Sequence, residues 1–143
     1  MLTVNSIDNG VVIDHIRAGL GIKLFHYLKL DSVSFPVALI QNCESQKLGR
    51  KDIIKVQSLI KLSFELLGLI DPNITISIIE NGVTAQKLKL SLPQRVEDVI
   101  HCKNPRCITA AERKISHIFT LVDAERALYQ CEYCEEIQSG LEI

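Results

Sequence analysis

Residues 2–7, LTVNSI, alternate between apolar and polar positions, the pattern of a strand with one buried face. Asp8-Asn9-Gly10 is a turn signal, and VVIDHI, residues 11–16, reads as the returning strand. In residues 19–30 the period changes. Leu20, Leu24, Phe25 and Leu28 fall at helical spacing, with Lys23 and Lys29 off that face. Two further strands are predicted, over 35–43 and 51–59, with a loop between them. The apolar run 60–70 is again helical in spacing and stops before Asp71-Pro72, a helix-ending signal. Residues 73–80, NITISIIE, form a strong strand pattern. Asn81-Gly82 supplies a hairpin turn, and 83–92 return.

Strand pair, helix, strand pair, helix, strand pair predicts an α+β fold. It is an antiparallel sheet with two helices on one face, related to the split βαβ arrangement and thus ferredoxin-like. Composition shifts after Pro93, where short strand patterns occur within 115–122 and 126–131. The boundary is expected near residues 92–98. It separates a domain over 1–95 from a small antiparallel β domain over 96–143. At this junction Leu92, Val96 and Ile100 recur at i, i+4 and i+8, a spacing that suits a helical face.

Composition adds little until it is divided. The 143 residues are 47% hydrophobic and carry a net charge of −1. Residues 1–95 hold 11 Lys and Arg against 8 Asp and Glu, whereas 96–143 hold 5 against 9. The first part suits an anionic ligand. The acidic second part argues against a nucleic-acid surface, which is usually basic. No apolar run is long enough for a transmembrane helix, and the N-terminus lacks the pattern of a secretory signal. A cytoplasmic, reducing location is expected, with no membrane partner.

Four of the five cysteines fall in two tight pairs, Cys102 with Cys107 in HCKNPRC and Cys131 with Cys134 in CEYC. Two knuckles, each giving two thiolates, suit a tetrahedral metal. This spacing, in a reducing compartment, favours structural zinc over two disulfides or a rubredoxin-like iron. A site with four thiolates is closed, so no metal catalysis is expected. His101 and His117 lie nearby as residues outside the ligand set. Cys43, the fifth, reads as a strand-end packing residue.

The basic residues of the first domain pair by strand parity. Lys51 and Lys55 are four apart, and Lys87 and Lys89 two apart, so each pair faces one side of its strand and could converge on phosphate. Asp14-His15 follows the first hairpin. No phosphate-binding glycine loop and no nucleophile–base set is legible.

VIDHI after a hairpin, GRKDIIK in mid-domain, SLP at the linker, then CKNPRCIT and CEYC, together resemble the regulatory chain of aspartate carbamoyltransferase. The resemblance implies a chain that is not itself an enzyme. It implies an allosteric domain binding the nucleotide effectors CTP and ATP, pairing with a second regulatory chain, and a zinc domain docked on the catalytic chain of a pyrimidine-synthesis enzyme. Carried over residue by residue, Val4, Ile7, Val12 and Ile79 would pack around the base. Asp14 and His15 would reach ribose and base. Lys51 and Lys55 would contact phosphate or ribose, and Lys87 the phosphates. The zinc ligands would be Cys102, Cys107, Cys131 and Cys134. A zinc-ribbon nucleic-acid-binding protein is the competing expectation.

Overall fold

The structure, a computed structural model, describes residues 7–140. The strand read over 2–7, and with it Val4, lies outside the described residues apart from Ile7. The described residues form two compact units. One runs to Ser63 and resumes over Asp71–Leu90. The other joins Phe64–Ile70 to the chain from Ser91 onward.

The first unit is a five-stranded antiparallel sheet. Its strands are β1 (Gly10–Arg17), β2 (Val37–Ser45), β3 (Gly49–Val56), β4 (Thr75–Glu80) and β5 (Val83–Lys89), in the order β2-β3-β1-β4-β5. The alternation read in the sequence is real burial. Val11, Ile13, Ile54, Val56, Ile74 and Ile76 are all at most 2% exposed, and their strand neighbours are partly open. Helix α1 (Gly21–Tyr27) buries Leu24 and lies against β2 and β3. The β4–β5 hairpin turns at Asn81-Gly82, with φ of 54° and 79°. Both central residues are left-handed, as a type I′ turn requires.

Two β-bulges flank the middle of β3. One falls in β1 between Ile13 and Ile16, the other in β2 between Ile40 and Cys43. Each contains a non-glycine residue at positive φ, His15 at 58° and Asn42 at 60°. Ladder hydrogen bonds lapse at a bulge, and in the β2 bulge the buried Asp52 carboxylate supplies a substitute at Asn42, while also holding the turn that follows β1. It accepts from the backbone N–H groups of Gly19, Gly21 and Asn42 at 3.1, 2.9 and 3.0 Å.

The second unit has four antiparallel strands in chain order: β6 (Arg95–Glu97), β7 (Ile118–Asp123), β8 (Leu128–Cys131) and β9 (Ile137–Ser139). Helix α2 (Phe64–Ile70) belongs with it, and a short α3 (Ile108–Ala111) follows the first knuckle. Its core joins Leu69 of α2 to Val96, Ile100, Cys107, Phe119, Tyr129 and Cys131. The helical spacing of Leu92, Val96 and Ile100 is corrected here. Val96 sits in β6 opposite Phe119, and residues 98–100 are bends. Positions four and eight apart share a face on a strand as well as on a helix, so the spacing alone did not discriminate.

The Tyr129 hydroxyl donates to the Pro93 carbonyl at 2.6 Å. Burial, with Glu65 adding to it, pushes this phenol up to about 12, so it remains a neutral donor. Gly68 of α2 lies directly under the Ser91 carbonyl oxygen, and a Cβ there would collide with it. Gly68→Ala is therefore expected to destabilise the second unit by about 1–3 kcal/mol, despite alanine's better helix propensity. Thermal melting of the zinc-loaded chain checks this; an unchanged or raised midpoint would contradict it.

Candidate metal centre and nucleotide-binding face

The two knuckles come together. The Sγ atoms of Cys102, Cys107, Cys131 and Cys134 all lie within 4.8 Å of one another. The closest approaches are 3.6 Å for Cys102–Cys134 and 3.8 Å for Cys107–Cys131. A disulfide needs about 2.05 Å. Four sulfurs about 2.3 Å from a central zinc would be about 3.8 Å apart along the tetrahedron edge. The cluster thus fits one tetrahedral ion with thiolate ligands.

Local sequence explains each knuckle. In the first, the Asn104 side chain accepts from Arg106 N–H at 3.0 Å and its carbonyl from Cys107 N–H at 3.1 Å. This Asx-type turn brings Cys107 back toward Cys102. The second closes on its own backbone, with Glu135 N–H donating to the Cys131 carbonyl at 3.0 Å and Cys131 N–H to the Glu136 carbonyl at 2.9 Å. The Thr109 hydroxyl, 4% exposed as a residue, donates to Cys107 Sγ at 3.1 Å. That bond brings the Cys107 thiol down to about 7, whereas burial pushes Cys102 up to about 12 and also raises Cys131. His117 supports the site without being a ligand, since its Nδ1 accepts from Cys102 N–H at 3.1 Å. His101 stacks edge-on to it, ring centroids 4.8 Å apart. Glu132, next to Cys131, is held within the unit by Arg95 at 2.9 Å and by the Thr120 hydroxyl at 3.0 Å.

In the first unit the predicted residues converge on the face of the sheet opposite the buried positions. Residues directly opposite across an antiparallel ladder project to the same side. The pairings Lys55–Val12, Val12–Ser77 and Ser77–Lys87 therefore make one row across four strands. The rows flanking it, Asp14–Thr75–Lys89 and Gly10–Ile79, lie on the same face. On β3, Lys51 and Lys55 alternate with buried Asp52, Ile54 and Val56.

The β1 bulge turns Asp14 and His15 outward together between the buried Ile13 and Ile16. Lys51 Nζ reaches Asp14 Oδ1 at 3.0 Å, and His15 Nδ1 lies 2.9 Å from the Thr75 hydroxyl. Among the described residues, neither Lys55 nor Lys87 enters an ion pair. Ile7 is buried, at 8%. Thr75 and Ser77 were absent from the sequence-derived set. Strand parity with Lys87 and Lys89 is the signal that finds them.

No helix among the described residues is long and apolar enough to cross a membrane. Residues 2–91 match the family model described as aspartate carbamoyltransferase regulatory chain, allosteric domain. Residues 94–143 match the metal binding domain of the same regulatory chain. Curated aspartate carbamoyltransferase regulatory chains are similar along their whole length. The chain from Clostridium botulinum (strain Hall) is 56% identical over 143 residues, covering 100% of this chain and 98% of that one. The chain from Clostridium tetani is 56% identical over 143 residues, covering 99% of each. The chain from Bifidobacterium longum is 40% identical over 135 residues, covering 94% of this chain and 97% of that one. This chain belongs to the family of aspartate carbamoyltransferase regulatory chains, and is a regulatory rather than a catalytic subunit, with an allosteric and a metal-binding domain.

Proposed function

We propose that this regulatory chain binds a nucleoside triphosphate, CTP or ATP, on the open face of its five-stranded sheet and conveys the binding to a catalytic chain docked on its zinc domain. The effector-binding domain is assigned to residues 1–95 and the zinc domain to 96–143. The chain pairs with a second copy of itself, and the assembly works in the cytoplasm on pyrimidine synthesis. The observation that carries the reading is the cross-strand row of Lys55, Val12, Ser77 and Lys87, beside the Lys51–Asp14 pair. An apolar floor between cations, with a carboxylate and an imidazole alongside, matches the parts of a nucleotide. The base packs on Val12 and Ile79, with Ile7 and Val4 assigned to its edge. Asp14 and His15 take the ribose hydroxyls and base edge, and the lysines take the phosphates.

Zinc held by the four cysteines supplies a crosslink with no open coordination position, so its part is structural. Nucleotide control then works through differential affinity. A ligand shifts an assembly only by binding one of its states more tightly.

Lys87→Ala and Lys51→Ala are each expected to weaken nucleotide binding about 10- to 150-fold, since each removes a charge-assisted contact of about 1.5–3 kcal/mol. Zinc content and assembly with the catalytic chain should be retained in both. Titration calorimetry with CTP and ATP measures it, and unchanged affinity in both variants places the pocket elsewhere.

A further inference from the structure

We infer that Gln138 is a positioning residue for the metal centre: its side-chain amide stands in for a missing strand and holds Cys102 ready for the ion. The inference rests on the zinc reading of the four cysteines and concerns a residue outside that set.

Cys102 is the ligand whose own backbone segment is least supported. Residues 101–104 belong to no helix or strand. Cys131 ends β8, Cys134 lies in a knuckle closed by its own backbone, and Cys107 follows the Asn104 turn. The polar groups around Cys102 are instead met by side chains from far along the sequence. Gln138 Nε2–H donates to the His101 carbonyl at 3.0 Å, and Gln138 Oε1 accepts from Lys103 N–H at 3.1 Å. Between them, Cys102 N–H donates to His117 Nδ1. One amide therefore grips the residues on both sides of the ligand, as a neighbouring strand would.

The grip is anchored on a rigid element. Gln138 is the middle residue of β9 and is paired with Tyr129 of β8, which is fully buried. Strand β9 is also the segment that leaves the second knuckle, since Cys134 precedes it by only a few residues. The clamp ties the first knuckle to the strand emerging from the second, independently of the metal. Without it, the stretch before the Asn104 turn keeps only the Cys102 N–H bond to His117 Nδ1 besides the ion. Outer partners of this kind are typically worth about 10- to 100-fold in metal affinity.

The test is zinc transfer from the full zinc-loaded chain to a chromogenic chelator, followed by absorbance. Gln138→Met keeps the length of the side chain and removes both bonds. Release is expected to be about tenfold faster or more, with the far-ultraviolet spectrum of the loaded chain unchanged. Gln138→Glu keeps the acceptor for Lys103 N–H but sets a carboxylate against the His101 carbonyl, so it should also release faster. Ile137→Ala, next in sequence at a residue 52% exposed, should release at the unaltered rate. Both Gln138 variants releasing zinc within twofold of the unaltered chain would overturn the inference, as would an Ile137→Ala rate as fast as theirs. If Gln138→Met does not fold even in excess zinc, Gln138→Glu decides by the same criterion. A purified unaltered chain that carries no zinc at all would refute the zinc reading instead, which keeps the two failures apart.

Discussion

Replacing Cys131 with serine is expected to abolish zinc retention and unfold the second unit. Cys131 is fully buried and sits in the same core as Phe119, Tyr129 and Leu69, with its sulfur 3.8 Å from that of Cys107. Serine offers no thiolate, so the ion would have three ligands and a buried hydroxyl beside it. Structural zinc contributes on the order of 10–16 kcal/mol to the folding of small domains. A unit of this size has too little core to fold without such a staple. Because Leu69 packs in that core, helix α2 should lose its packing with it. Metal analysis after gel filtration and the loss of assembly with the catalytic chain are the readouts. A serine variant retaining one zinc per chain and intact assembly would contradict the account. Cys43→Ser, by contrast, should be nearly silent, since Cys43 is half-buried on β2 and outside the cluster.

Asp52→Ala is the second large effect, in the first unit. The Asp52 carboxylate is fully buried and is the acceptor for three backbone N–H groups, those of Gly19, Gly21 and Asn42. Alanine removes the acceptor of all three bonds; the Gly21 N–H is left buried without a partner, whereas those of Gly19 and Asn42 are part-buried and can turn to water. At about 1–3 kcal/mol for the buried orphaned group and about 0.5–1.5 kcal/mol for each of the other two bonds, the loss is on the order of 2–6 kcal/mol. Whole domains are stable by only about 5–15 kcal/mol, so the first unit should lose a large share of its stability. Asp52→Asn keeps the shape but turns one oxygen into a donor facing a donor, and should cost less. Gly21→Ala attacks the same point sterically, because its Cβ would sit 2.6 Å from the Asp52 carboxylate. Denaturant titration monitored by circular dichroism gives the ranking Ala below Asn below the unaltered chain. An Asp52→Ala chain as stable as the unaltered one would contradict it.

The strands and helix α1 of the first unit were legible where local chemistry and global fold agree. Asn81-Gly82 is a turn by its own φ preference, and Val11, Ile13 and Ile54 alternate because one sheet face is buried. The bulges were not legible, because positive φ is uncommon even for His and Asn, the residue types that adopt it more readily than most, and nothing local marks His15 and Asn42 for it. The packing of α2 in the second core was not legible either. Helical periodicity says that Leu69 is buried, and it is silent on which core receives it. Strands β6 and β9 have three residues each, too few for a period to register. In the metal centre, the four cysteines were legible because their spacing is itself the geometric requirement. The supports from Thr109 and Gln138 were not assigned, and His117 was placed near the site, outside the ligand set, without a partner. His117 and Gln138 reach the first knuckle from 15 or more residues away through bonds that leave no local pattern. On the proposed nucleotide face, the lysine pairs were visible by parity, whereas placing Thr75 and Ser77 beside Lys89 and Lys87 also took the register.

The most direct test of the central claim is the aspartate saturation curve of the catalytic chain reconstituted with this chain, zinc-loaded, with and without saturating CTP or ATP, and repeated with Lys87→Ala. The account predicts that at least one nucleotide displaces the curve, and that Lys87→Ala assembles normally but needs at least about tenfold more nucleotide for the same displacement. Curves that coincide with and without both nucleotides, in a complex shown to be assembled, would contradict it.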